Sequence, residues 1–165
     1  MQEIKAERDG EVIERTQIRS AIQMLIEVCK NSRKLYEQEF ESVLLAETSD
    51  YFRLESNQLI TDTSCAAYLD QAHKRLQQEY ERINSYLSPT TEQKLINTFL
   101  NEYIGEQHSL TLLTMESSGL VSMIRNNKIE DLALLYNMFS RREASFELLR
   151  NHIRDYIADE GSKLV

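Results

Sequence analysis

Glycine and proline are nearly missing from this chain, with four of one and one of the other in 165 residues. Tight reversals depend on these residues, so long uninterrupted segments joined by few turns are expected. The two cysteines, Cys29 and Cys65, have neither metal-ligand spacing nor a disulfide framework, which points to a reducing, intracellular setting. Tryptophan is absent. No apolar run approaches the ~20 residues that cross a bilayer, and MQEIKAERDG has no apolar core of a secretory signal. Basic residues are outnumbered 19 to 27, for a net charge of −8, the reverse of a surface that displaces counterions from nucleic acid. The small basic groups at 30–34 and at Arg141–Arg142 fall at expected helix ends, where they complement the dipole.

What is present is helical periodicity. Thr16 is the expected cap of a helix to about Lys30, with Ile18, Ile22, Leu25 and Cys29 on one side. Asn31 and Ser32 supply a turn. A long helix then runs from about Arg33 to Ile60, its stripe being Tyr36, Phe40, Val43, Leu44, Tyr51 and Leu54. Ser64 caps the next, which carries Leu69, Ala72, Leu76, Ile83 and Leu87. Ser88-Pro89 has the order of a cap followed by a first helical residue, and Leu95, Ile96, Phe99, Leu100 and Tyr103 follow as one face. Gly105 breaks the chain before a segment with Leu110, Leu113 and Val121.

Two short helices flank a polar turn at 126–128. In the second, Leu132, Leu135, Tyr136 and Phe139 form the expected inner face, with Glu130 and Asp131 at its start. A last helix turns Phe146, Leu149, Ile153 and Tyr156 inward and stops at Gly161. No stretch alternates with period two, so no strand is expected.

The residues of chemistry do not assemble. His73, His108 and His152 are far apart, and Asp70-x-x-His73 is a single acid–histidine pair of the kind that usually makes a surface hydrogen bond. Cys29 lies on an apolar stripe. Cys65, near a helix start, is open to a lowered pKa but has no visible partner. No catalytic, cofactor-binding or metal residue is assigned, and no cofactor is expected. Phe52 and Tyr80 lie off the cleanest stripes and are the candidate interface residues.

The wording of several segments is more specific than their periodicity. Glu130-Asp131-Leu132, then Leu135-Tyr136, then Phe139-Ser140-Arg141 resembles a block of the cullin family, and Met115–Val121 resembles the cullin-3 class of it. Glu7-Arg8-Asp9-Gly10-Glu11 is similar to the E-R-x-G-E segment of cullins. Tyr36-x-x-x-Phe40-Glu41 with Tyr51-Phe52 and Glu55-Ser56 resembles one of their helices. Tyr68-Leu69, Ala72, Arg75-Leu76, Glu79, Arg82 and Tyr86-Leu87 resemble the next. His108 also matches. Leu44, where an aromatic is usual, and Ser145, where a glycine is common, depart from the pattern.

The resemblance implies an all-α fold of consecutive helical bundles, cullin-repeat-like and elongated. It implies residues 1–105 as most of one repeat and 106–165 as the start of the next. The implied function is non-catalytic: a rigid scaffold segment of a cullin-RING ubiquitin ligase, spacing substrate adaptor from RING module. BTB-type adaptor and RING protein are then bound mainly outside this segment, with no nucleic-acid or membrane partner, in cytoplasm and/or nucleus. The alternative is a free-standing helical interaction module such as a tethering-complex subunit. Met1–Asp9 reads as the tail of a helix, and Leu164 and Val165 follow a turn. A fragment of a longer protein, self-associating weakly through its ends, is therefore expected.

Overall fold

The computed structural model of the chain describes residues 1–28 and 33–164. Among them are nine α-helices and no strand. They are α1 (Gln2–Arg8), α2 (Arg15–Val28), α3 (Ser42–Asp62), α4 (Cys65–Tyr86), α5 (Glu92–Tyr103), α6 (Glu106–Thr114), α7 (Leu120–Arg125), α8 (Ile129–Phe139) and α9 (Glu143–Lys163). A π-helical turn, Tyr36–Glu41, leads into α3, and a 3-10 turn, Pro89–Thr91, leads into α5. The all-α expectation holds. Cys29 and the expected turn at Asn31 and Ser32 lie outside the described residues.

The breaks follow from local chemistry. Gly10 takes φ +96°, while its N–H bonds the Glu7 carbonyl and the Glu11 N–H bonds that of Ala6. That pair of bonds is a Schellman stop, and its left-handed residue favours glycine. Asn127, at φ +53°, closes α7 the same way, with bonds from Asn127 to Ile124 and from Lys128 to Met123. Ser64 Oγ accepts the Ala67 N–H at 3.3 Å, as a cap should. Ser88 precedes Pro89 at the first helical position, although its hydroxyl bonds Thr90 and not the backbone. Gly105 starts α6, and a Cβ there would stand 2.4 Å from the Asn101 carbonyl oxygen.

Other boundaries moved. α2 begins at Arg15, so Thr16 lies inside its first turn. α9 runs through Gly161 to Lys163, because a helix in solvent tolerates a glycine that nothing forces into a turn. The face of α3 also differs from the expected stripe: Val43 and Leu54 are exposed, and the buried positions are Leu44, Thr48, Phe52 and Ser56. These are four apart, one ridge of a helix. The π-helical turn inserts a residue into the repeat ahead of α3, and small polar residues occupy two ridge positions, so apolar periodicity pointed elsewhere. In α8 Tyr136 is 58% exposed, and Met138 takes the inner position beside Leu135 and Phe139.

Two compact units are distinguished. The first comprises Met1–Asp50 with Gln77–Thr98. Its apolar core includes Ile4, Ile22, Tyr36, Leu44, Ile83 and Leu95. The second comprises Tyr51–Leu76 with Phe99–Val165. There the Phe52 ring meets Phe99 edge-on at 4.9 Å and Tyr103 at 5.7 Å, and Tyr103 stacks on Phe99 at 4.7 Å. In the same unit α6 packs on α7 and α9, and α8 packs on α7 and α9. Leu112, Leu120, Leu135, Met138 and Phe139 are buried in that unit.

Candidate functional site: buried charge clusters

The most distinctive chemistry of the first unit is a buried ionic cluster. Arg8 at the end of α1 donates from Nε and Nη2 to the two oxygens of Glu79 at 3.0 and 2.9 Å, and from Nη2 to Thr48 Oγ1 at 2.9 Å. Arg82, one turn along α4 from Glu79, donates from Nη1 to Glu79 at 2.7 Å and from Nε to Glu7 at 2.8 Å. Glu7 also accepts from Tyr86 at 2.8 Å and from Arg15 at 2.5 Å. The Arg8 and Glu79 side chains are 3% and 0% exposed, so this pair is desolvated and made tolerable by the fork geometry. Burial alone would raise the Glu7 pKa, but the bonds from Arg15 and Tyr86 and the charge of Arg82 outweigh it and hold the carboxyl below its usual range. Burial and the Glu7 charge push the Tyr86 hydroxyl up, which keeps it a donor.

A second cluster in the same unit joins the π-helical turn to α5. The Thr91 hydroxyl donates to Glu41 at 2.9 Å, so Tyr36 is the donor in its 2.6 Å bond to Thr91. Lys94 bonds the other Glu41 oxygen. In the second unit Glu55 of α3 takes a forked bond from Arg75 of α4 and another from the Tyr103 hydroxyl of α5. Burial first, then the Glu55 carboxylate, raises the Tyr103 pKa. The Arg75 guanidinium also lies 6.0 Å from the Tyr51 ring centroid.

These groups bind helices to one another, and none of them pairs a nucleophile with a base. Among the described residues no group of three or more histidines, cysteines and carboxylates could hold a metal ion. Asp70 bonds Lys74 at 2.7 Å, not His73, whose Nδ1 is buried without a hydrogen-bond partner among the described residues. His108 meets Asn57 at 3.1 Å, and His152 bonds the Leu148 carbonyl at 2.9 Å. Cys65 is buried, and burial followed by the Asp131 charge pushes its thiol up to about 12, opposite to the lowered value its helix-start position suggested.

Phe52, one of the two candidate interface residues, is 0% exposed at the centre of the aromatic cluster. It has no surface to offer a partner, and the expectation is corrected: the ridge of α3 was rotated from the stripe used to place it. Tyr80 is half-buried on α4. Periodicity did not identify the ionic clusters, although a signal was present. Glu79 continues the stripe Leu69, Ala72, Leu76, and Arg8 lies four residues from Ile4, so charges stood at core positions. Ser145, one of the departures from the cullin-like wording, donates from Oγ to the Ile104 carbonyl at 2.6 Å and so ties the start of α9 to the end of α5.

Comparison with known proteins places the whole chain in one family. A family model described as the cullin alpha solenoid domain matches residues 1–165. A Cullin-3 of Dictyostelium discoideum is 38% identical over 98% of this chain and 21% of its own length. Cullin-3A of Arabidopsis thaliana is 34% identical over 98% of this chain and 22% of its own. A Cullin-3 of Caenorhabditis elegans is 32% identical over 98% and 22%. The chain thus spans about one fifth of the length of these curated relatives. Glu7, Arg8, Gly10, Glu41, Glu55, Arg75, Glu79, Arg82 and Tyr86, which stand in the motifs whose wording resembles cullins, are residues of the clusters and of the α1 stop. This chain belongs to the cullin family, in the alpha solenoid domain, and its likeness runs to cullin-3 members.

Proposed function

We propose that this chain is a rigid scaffold segment of a cullin-RING ubiquitin ligase, spacing a substrate adaptor from a RING module. The observation that supports the reading is what the residues of the cullin-like motifs do in the fold. Their charged and aromatic side chains interlock helices inside each unit. A ligase of this kind acts by bringing two bound parties together, and their effective concentration is high only while the spacer keeps its geometry. Helix-on-helix ties of buried charge and aromatic packing oppose bending in a way that an apolar seam alone does not. The BTB-type adaptor and the RING protein are bound mainly outside this segment, residues 1–105 belong to one repeat and 106–165 to the next, and the protein works in cytoplasm and/or nucleus.

Two measurements test this. Calorimetric titration of the 165-residue chain with a BTB domain that binds the longer parent should show no binding. Affinity tighter than about micromolar, worth ~8 kcal/mol, would mean that an adaptor surface lies within the chain. A flexible glycine-serine insertion at Gly105 in the parent ligase should lower ubiquitin transfer while adaptor and RING affinities stay unchanged. Unaltered transfer would remove the spacing role.

A further inference from the structure

Two adjacent residues of α1 read two residues of α4 crosswise. Glu7 accepts from Arg82, and Arg8 donates to Glu79, which lies one turn before Arg82. Within α1 only Ile4 and Arg8 are buried. Ile4 borders an apolar hollow of about 220 Å³ that Ile18, Ile22, Leu25 and Phe40 also line. Such a seat is made of interchangeable aliphatic and aromatic surface, which accepts an apolar knob of the right size without dictating direction or register. The ionic contacts are different in kind. Moving α1 by one turn against α4 would separate Arg8 from Glu79 and Glu7 from Arg82, leaving buried charges without partners, an arrangement that proteins strongly disfavour.

The surroundings of the pair are complete. From α2 Arg15 reaches Glu7 and Ser85, from α3 Thr48 reaches Arg8, and from α4 Tyr86 reaches Glu7. The Thr48 hydroxyl in turn donates to the Leu44 carbonyl at 2.6 Å. Every charge in the cluster therefore has a fixed partner, the condition under which a buried polar network specifies one arrangement.

We propose that the crossed pairs Glu7–Arg82 and Arg8–Glu79 are a register key, selecting one docking of α1 on α4 and so the path of the chain into α2, while apolar burial elsewhere supplies the stability. The key goes beyond the scaffold reading and does not depend on it.

Hydrogen–deuterium exchange of the 165-residue chain, read by mass spectrometry on peptides from α1 and from α8, separates a key from a stabiliser. Replacing one pair by apolar groups, Arg8→Met with Glu79→Leu, leaves Arg82 on Glu7 alone and should leave the α8 protection as in the wild type. The α1 amides should lose protection by about tenfold or more. Unchanged α1 protection would overturn the proposal. So would equal losses in α1 and α8, since the pair would then only be holding the fold up. If the double variant does not fold, Glu7→Gln takes its place: it sits nearer the surface, removes one charge and keeps the side-chain length. Selective loss of α1 protection supports the key in that variant, and an unaltered or uniformly changed pattern overturns it.

Discussion

The Ser118 hydroxyl accepts the backbone N–H of Cys65 at 3.0 Å, so the loop before α7 caps the first residue of α4. Ser64 serves the Ala67 N–H of the same helix start. One helix end is thus closed by two serines, one local and one from 53 positions away. Only the local one belongs to a pattern readable along the chain. Ser118→Ala should destabilise by about 0.5–2 kcal/mol, the range for losing a helix cap. Urea melts check this, and an unchanged midpoint would show that the Cys65 N–H is satisfied without Ser118.

Neighbouring residues of α8 should respond in opposite ways. Leu135 is 1% exposed, and Leu135→Ala should cost ~2–5 kcal/mol, as deletion of a packed leucine does. Tyr136 is 58% exposed, with its ring edge-on to Phe146 at 5.5 Å, and Tyr136→Ala should cost less than about 1 kcal/mol. Denaturant melts of the two variants give the comparison. Similar losses would place α8 in a different rotation.

Two glycines should behave differently on gaining a methyl group. At Gly161, inside α9, a Cβ meets nothing within 4 Å, so Gly161→Ala should stabilise by about 0.5–1 kcal/mol through helix propensity. At Gly119 a Cβ would stand 2.5 Å from the Met115 carbonyl oxygen and 2.7 Å from that of Leu113. Gly119→Ala should therefore destabilise by ~1–3 kcal/mol, since backbone has to move. Thermal melts that shift both variants the same way would contradict the placement of one of them.

Glu7 makes stability acid-sensitive. Its carboxyl is held below 4.5 in the folded chain, so it binds a proton less readily there than when unfolded. Its contribution is fully present above the unfolded value and is lost as pH falls through the lower folded one. Urea midpoints of the wild type should fall below about pH 4.5 more steeply than those of Glu7→Gln. Parallel curves would show that Arg15, Arg82 and Tyr86 do not favour the charged form.

The helical class was legible because a 3.6-residue repeat of apolar side chains is a local property. Leu69, Ala72, Leu76, Ile83 and Leu87 are buried as their spacing predicts, and so are Leu95, Ile96, Phe99, Leu100 and Tyr103. The stops were legible in part. The polar turn at Asn126–Lys128 coincides with the left-handed Asn127, whereas Gly161 resembled a stop and is a helical residue. Conformational permission is written in the residue, but its use depends on what surrounds it.

The family could be read from the order of short motifs, and their physical meaning could not. Glu7-Arg8 and Glu79-x-x-Arg82 are about seventy positions apart and look, one at a time, like solvated helix charges. Whether a charge is solvated depends on which helices meet over it, and pairwise spacing within a helix carries no record of that. The same holds for Phe52. Its azimuth on α3 follows from the π-helical turn at Tyr36–Glu41 and from Thr48 and Ser56 filling the ridge on either side of it. Local periodicity determined the helices of this chain. Only tertiary packing decided which polar residues they bury, because desolvation is a property of the assembled helices and hydrogen bonds across them make it tolerable.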